Sequence, residues 1–99
     1  MKRHLPAGIR KAVWERCAET CEACGYWLPR EELNIHHRKL KSQGGTDELT
    51  NLIAVHFRCH SSIHLSPERS YELGHLVRSY EEPADVPVVL FPLMFRRSA

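Results

Sequence analysis

Residues 35–64 read IHHRKLKSQGGTDELTNLIAVHFRCHSSIH and hold five of the chain's seven histidines and one of its four cysteines. His36 and His37 end a short apolar–polar alternation, Leu33-Asn34-Ile35, which predicts a strand. Lys41 to Asp47 (KSQGGTD) is turn chemistry, because Gly44-Gly45 admits backbone angles closed to other residues. Asn51 opens a second apolar run, Leu52 to Val55. His60 and His64 then fall four apart in a helical pattern, which places them on one face, one turn apart. Strand, loop, strand and helix, with a His pair on the first strand and two His on the helix, make a cup for a metal ion.

Two further motifs flank this stretch. Cys21-Glu22-Ala23-Cys24-Gly25 has the spacing of a knuckle that wraps a metal with backbone amides. Its partners by spacing are His56 and Cys59, at the start of the later helix. The set Cys21, Cys24, His56 and Cys59 predicts a structural Zn2+, which takes three thiolates and one imidazole readily. At about 100° per residue, His56/Cys59 and His60/His64 point roughly a quarter-turn apart, so one helix serves two metal sites. Cys17 reads as a small core residue, with substitution for a ligand as the alternative.

A chain of 99 residues predicts one domain, 1–99, with a core at 17–64. So short a chain buries only about 60–65% of its unfolded surface, and a metal is one of the staples that compensate. The formal charge of +2 does not announce a nucleic-acid binder by itself. Basic residues do cluster at Lys2, Arg3, Arg10 and Lys11, and again beside the His pair. No apolar run reaches the roughly 18 residues of a membrane span, and the start has no hydrophobic signal region. The expectation is a cytoplasmic protein with reduced thiols, in which the cysteines bind metal rather than pair as disulfides.

Along the chain, residues 1–5 predict a frayed basic arm and about 7–19 an amphipathic helix, with Pro6 at its first position and Trp14 as packing. Ser66-Pro67-Glu68 opens a short helix near 67–73, which Gly74 stops. Residues 75–80 predict a strand, 81–87 a loop, 88–95 a last strand or partner-binding tail, and 96–99 a frayed end. His75 reads as an ordinary histidine. The fold class is α+β, a small zinc-stapled finger with an N-terminal helix and a C-terminal helix/strand extension over 65–99.

The order His-His, Gly-Gly, Asn, His-x-x-x-His, flanked by the two cysteine motifs, resembles the HNH endonuclease family and its ββα-metal fold, most closely the colicin-type DNase branch. The resemblance covers roughly residues 17–64. It implies a DNA endonuclease that leaves 5′-phosphate and 3′-hydroxyl ends. It assigns His36, His60 and His64 to one catalytic divalent ion, His37 to the general base, and Asn51 to fixing the loop that aims His37. Arg38, Lys39, Lys41 and Arg58 become candidates for phosphate contacts, which give affinity without reading sequence. The family more often has Asp where this chain has His36, and Cys where it has His56. Three imidazoles suit Mn2+, Ni2+, Co2+ or Zn2+ better than Mg2+. Compact relatives occur in phages and mobile elements, sometimes beside DNA-packaging genes, so the resemblance implies DNA and a packaging or recombination protein as partners. The rival reading is a zinc-stapled DNA-binding module without turnover.

Overall fold

The computed structural model describes residues 5–91. Strand β1 (Asn34–His37) pairs antiparallel with β2 (Leu52–Val55), with His36 opposite Ile53 and His37 opposite Leu52. Every residue of β2 is buried, as its unbroken apolar run requires. Successive residues of β1 face opposite ways, so His36 is buried while His37 is half-exposed. His56 stays extended, and helix α2 (Phe57–Leu65) starts at the next residue. This ββα unit is the expected arrangement, and the molecule is a small α+β fold with three helices among the described residues.

Helix α1 (Ala7–Cys17) lies against β2, while α2 lies against β1 and α3 (Pro67–Leu73). The core gathers Val13 and Cys17 from α1, Leu28, all of β2, Ile63 from α2, and Leu76 and Leu90 from the C-terminal extension. Each such aliphatic side chain contributes about 1.5–3 kcal/mol on burial. Trp14 packs against this core, with the Arg30 guanidinium 5.7 Å from its ring. Pro6 precedes the helix rather than opening it, and its carbonyl accepts from the N–H groups of Ile9 and Arg10.

Helix α1 stops two residues short of the expected Glu19. Ala18 and Glu19 take left-handed backbone, with φ of 52° and 58°, at a cost of about 1–2 kcal/mol each. The reversal brings Thr20 into a bridge with Trp27 and seats Glu22 against the free edge of β2. The Glu22 N–H donates to the Ala54 carbonyl (2.8 Å), and its Oε1 accepts from the Ala54 N–H (2.9 Å). The same carboxylate is fully buried and takes two bonds from the Arg16 guanidinium, at 2.9 and 2.7 Å. The cysteine knuckle is therefore fastened to the sheet by the buried Glu22, whose carboxylate the partly exposed Arg16 guanidinium neutralises.

Helix α3 forms where Ser66 and Pro67 predict it, although the Ser66 hydroxyl makes no capping hydrogen bond, and Gly74 ends it with φ of 78°. A Cβ at Gly74 would lie 2.1 Å from the Pro87 carbonyl, so the chain passes too closely for any other residue. The strand expected at 75–80 does not form. The N–H groups of His75 and Leu76 both return to the Ser70 carbonyl and that of Val77 goes to the Arg38 carbonyl, so the segment closes α3 instead of joining a ladder. Residues 88–91 join no ladder, and 92–95 lie outside the described residues, as do 1–4 and 96–99.

The carbonyls of this extension go instead to Arg38. Its guanidinium donates to Gly74 (2.7 Å), Thr50 (2.6 Å), Pro83 (3.1 Å) and Val86 (2.7 Å). Arg38 is 1% exposed. Burial first, and the charge of Arg16 second, pull it down to about 10, so it stays cationic at neutral pH. The expectation that Arg38 contacts a phosphate is thus corrected: its donors are spent inside the fold. Replacing Arg38 with Met should cost the zinc-loaded chain about 2 kcal/mol or more, because each buried carbonyl left alone costs about 1–3 kcal/mol. The midpoint of urea unfolding measures this, and an unchanged midpoint would contradict the internal role.

Candidate metal centres

The knuckle residues Cys21 and Cys24 meet His56 and Cys59 at the head of α2, with one ligand atom from each lying within 4.8 Å of the others. Gly25 N–H returns to the Cys21 carbonyl (2.8 Å), which makes the turn tight. The His56 ring is oriented from behind. Its Nε2 lies 2.7 Å from the Trp27 carbonyl, which can only accept, so Nε2 carries the proton. The bare Nδ1 then faces Cys24 Sγ (3.6 Å) and Cys59 Sγ (3.9 Å), as a metal ligand requires. Burial first, and the charge of Cys21 second, push the Cys59 thiol up to about 12. Burial acts the same way on Cys21, but the N–H groups of His56, Ala23 and Cys24 outweigh it and lower that thiol. Without a cation the cluster cannot hold several thiolates together. The donor set fits tetrahedral zinc.

A second cluster lies at the other side of α2. His36, His60 and His64 bring one nitrogen each within 4.8 Å of the others. The His36 ring centroid is 4.9 Å from that of His60 and 5.3 Å from that of His64, and the two helix rings are 5.1 Å apart. His36 Nε2 donates to the His75 carbonyl at 2.8 Å. Its Nδ1 is buried without a hydrogen-bond partner. A buried lone pair with no donor is costly unless something electron-poor occupies the space beside it. Burial, opposed by the His75 bond and reinforced by His60 and His64, lowers His36 to about 3. Burial and then His64 also lower His60. These imidazoles are held neutral, the form that ligates. Both donor sets thus suit a metal ion.

His37 projects from the opposite side of β1. It is half-buried, and its Nε2 lies 2.8 Å from Asp47 Oδ1. Asn51 is wholly buried beneath the same loop. Its Oδ1 accepts from Lys39 N–H (2.7 Å), and its Nδ2 donates to the carbonyls of Thr46 (2.9 Å) and Lys39 (3.1 Å). Gly45 explains half of the Gly-Gly pair: a Cβ there would fall 1.7 Å from the Lys39 carbonyl. Of the remaining basic candidates, Lys39 Nζ reaches the Glu81 carbonyl (3.1 Å), Lys41 Nζ lies 3.3 Å from Asp47, and Arg58 is exposed on the first turn of α2.

Sequence reasoning missed four contributors. Trp27 and His75 act through main-chain carbonyls, which no side-chain pattern reveals. Glu22 sits inside the knuckle and looks like an ordinary surface acid. Asp47 carried a faint signal, an acid in a turn that had to fold back toward the His pair.

Stripping metal with a strong chelator should abolish the cooperative thermal transition, and Cys21→Ser should do the same. A structural zinc contributes about 10–16 kcal/mol, comparable to or above the whole stability of a small domain. Circular-dichroism melting of both samples tests this, and an unchanged melt would remove the staple.

No described helix is long and apolar enough to cross a membrane. No curated protein gives a significant match to the chain. Residues 21–65 match the family model for HNH endonuclease. That span begins at the first knuckle cysteine, ends one residue past His64, and contains every ligand of both clusters. Residues 21–65 of this chain are thus similar to the HNH endonuclease domain, a match that covers a little under half of the sequence.

Proposed function

We propose that the protein is a metal-dependent DNA endonuclease that hydrolyses phosphodiester bonds. The observation that carries this is the buried, unpartnered Nδ1 of His36 facing the two helix imidazoles, with a further histidine beside it on the strand. A module that only binds DNA has no use for three imidazoles converging on one point. Its basic side chains are also poorly placed for that role, since Arg38 is internal and Lys39 and Lys41 already have partners.

Hydrolysis requires that water lose a proton as it adds to phosphorus, and that the P–O3′ bond break with the charge stabilised. When bound by His36, His60 and His64, a divalent ion would neutralise the phosphate and stabilise the leaving oxygen. The imidazole set favours Zn2+, Ni2+, Co2+ or Mn2+ over Mg2+. His37 takes the proton from water as general base, a task suited to an imidazole at neutral pH. Asn51 holds the loop against which His37 rests. Arg58, exposed on the first turn of α2, contacts the DNA backbone, which makes binding salt-dependent and indifferent to sequence.

His37→Ala should slow nicking of supercoiled plasmid by about 100-fold or more. Two metal ions per chain and the wild-type melt should remain. Plasmid nicking across a panel of divalent ions, with metal content measured on the same samples, tests this. Nicking by the variant at the wild-type rate would remove His37 as the base, and a wild-type chain inert with every ion would favour the binding module.

A further inference from the structure

We infer that Asp47 is a positioning residue that fixes the tautomer and direction of the His37 ring. The inference rests on the nuclease reading above. A carboxylate oxygen only accepts, so the 2.8 Å contact from Asp47 Oδ1 places the proton of a neutral His37 on Nε2. The lone pair then lies on Nδ1, on the side of the ring turned away from Asp47. That nitrogen receives the proton from water. Nε2 keeps its own proton throughout, Asp47 stays ionised, and the negative charge of Asp47 offsets the positive charge that His37 acquires.

The loop is built to hold Asp47 still. Its two sequence neighbours are both gripped by Asn51. The Asn51 side chain donates to the Thr46 carbonyl at 2.9 Å, and the Asn51 backbone N–H donates to the Glu48 carbonyl at 2.8 Å. Glu48 N–H also turns back to Thr46 Oγ1. Gly45 packs directly on the Lys39 carbonyl just upstream. Lys41 Nζ reaches the same Asp47 oxygen at 3.3 Å, so the carboxylate is held from two directions. These contacts supply a physical route from Asn51 to the base: Asn51 fixes the loop, the loop fixes Asp47, and Asp47 fixes the ring.

The metal ligands support the same logic. His36 and His56 each tie Nε2 to an acceptor and present Nδ1. In both the acceptor is a main-chain carbonyl. His37 is paired with a carboxylate, and it is the ring that becomes charged during the proposed reaction.

The experiment measures plasmid nicking by the metal-loaded full chain in wild type, His37→Ala, Asp47→Ala, Asp47→Asn and Asp47→Glu. Asp47→Ala should lower kcat by about 10–100-fold, the usual cost of losing an outer partner. KM should stay within about twofold, because ground-state binding is untouched. Asp47→Asn, which keeps the shape and loses the charge, should fall between Ala and wild type, and Asp47→Glu should recover most of the rate. Melting and metal content should match wild type in all. Asp47→Ala turning over at the wild-type kcat, or losing rate through KM alone, would overturn the inference while leaving the nuclease reading intact. A wild type that does not nick, or a His37→Ala that does, would overturn both.

Discussion

The hydrogen bond from His36 to the carbonyl of His75 joins two parts of the chain that the sequence keeps far apart. One end belongs to the ββα unit and the other to the extension beyond the matched family span. Because a carbonyl accepts and never donates, this one contact decides which nitrogen of His36 is free. Rotation of the ring, or loss of the extension, would present a proton where a ligand is needed. His75 is itself held, with Nε2 on the Val89 carbonyl. The extension therefore acts as a backing plate for the histidine cup through a main-chain carbonyl.

That plate is fastened at an energetic cost. Burying a guanidinium or a carboxylate is expensive, and a buried ion pair is by itself weak evidence of stability. Here Arg38 and Glu22 each do something an apolar residue could not. Arg38 collects four carbonyls that turn the loop at 50 and the extension at 74–86 toward one point. Glu22 saturates the outer edge of β2 and binds Arg16 in a fork. Both groups set direction as much as they add energy. That matters in a chain whose apolar core is too small to define geometry by packing alone.

What was legible in the sequence follows from what periodicity and spacing encode. The two strands, the three helices and both metal clusters came from side chains recurring at intervals of two, three and four. Arg38 was misread because a cation beside a histidine pair looks the same in sequence whether it faces solvent or carbonyls. The strand at 75–80 was misread because short apolar runs carry no reliable period, and here the N–H groups of His75 and Leu76 go back to the end of α3. The overrun of α1 to Glu19 has a different cause: a helical pattern does not report when tertiary contacts force a left-handed reversal. The carbonyls of Trp27 and His75 were beyond reach altogether, since every residue has one.

The two centres are not equals. Cys59 and His60 are adjacent on α2, so the cysteine cluster sets the start and rotation of the helix that supplies two of the three imidazoles of the cup. The dependence does not run equally the other way. The knuckle is bound to β2 through Glu22 and to α2 through His56, and neither link passes through His36, His60 or His64. Loss of an ion from the histidine cup would disturb rings at its rim, whereas loss of one from the cysteines would release the helix itself. The sequence interlocks the motifs as HxxCHxxxH, and the physical consequence is a hierarchy: the fold is secured first, and the site inherits its geometry from it.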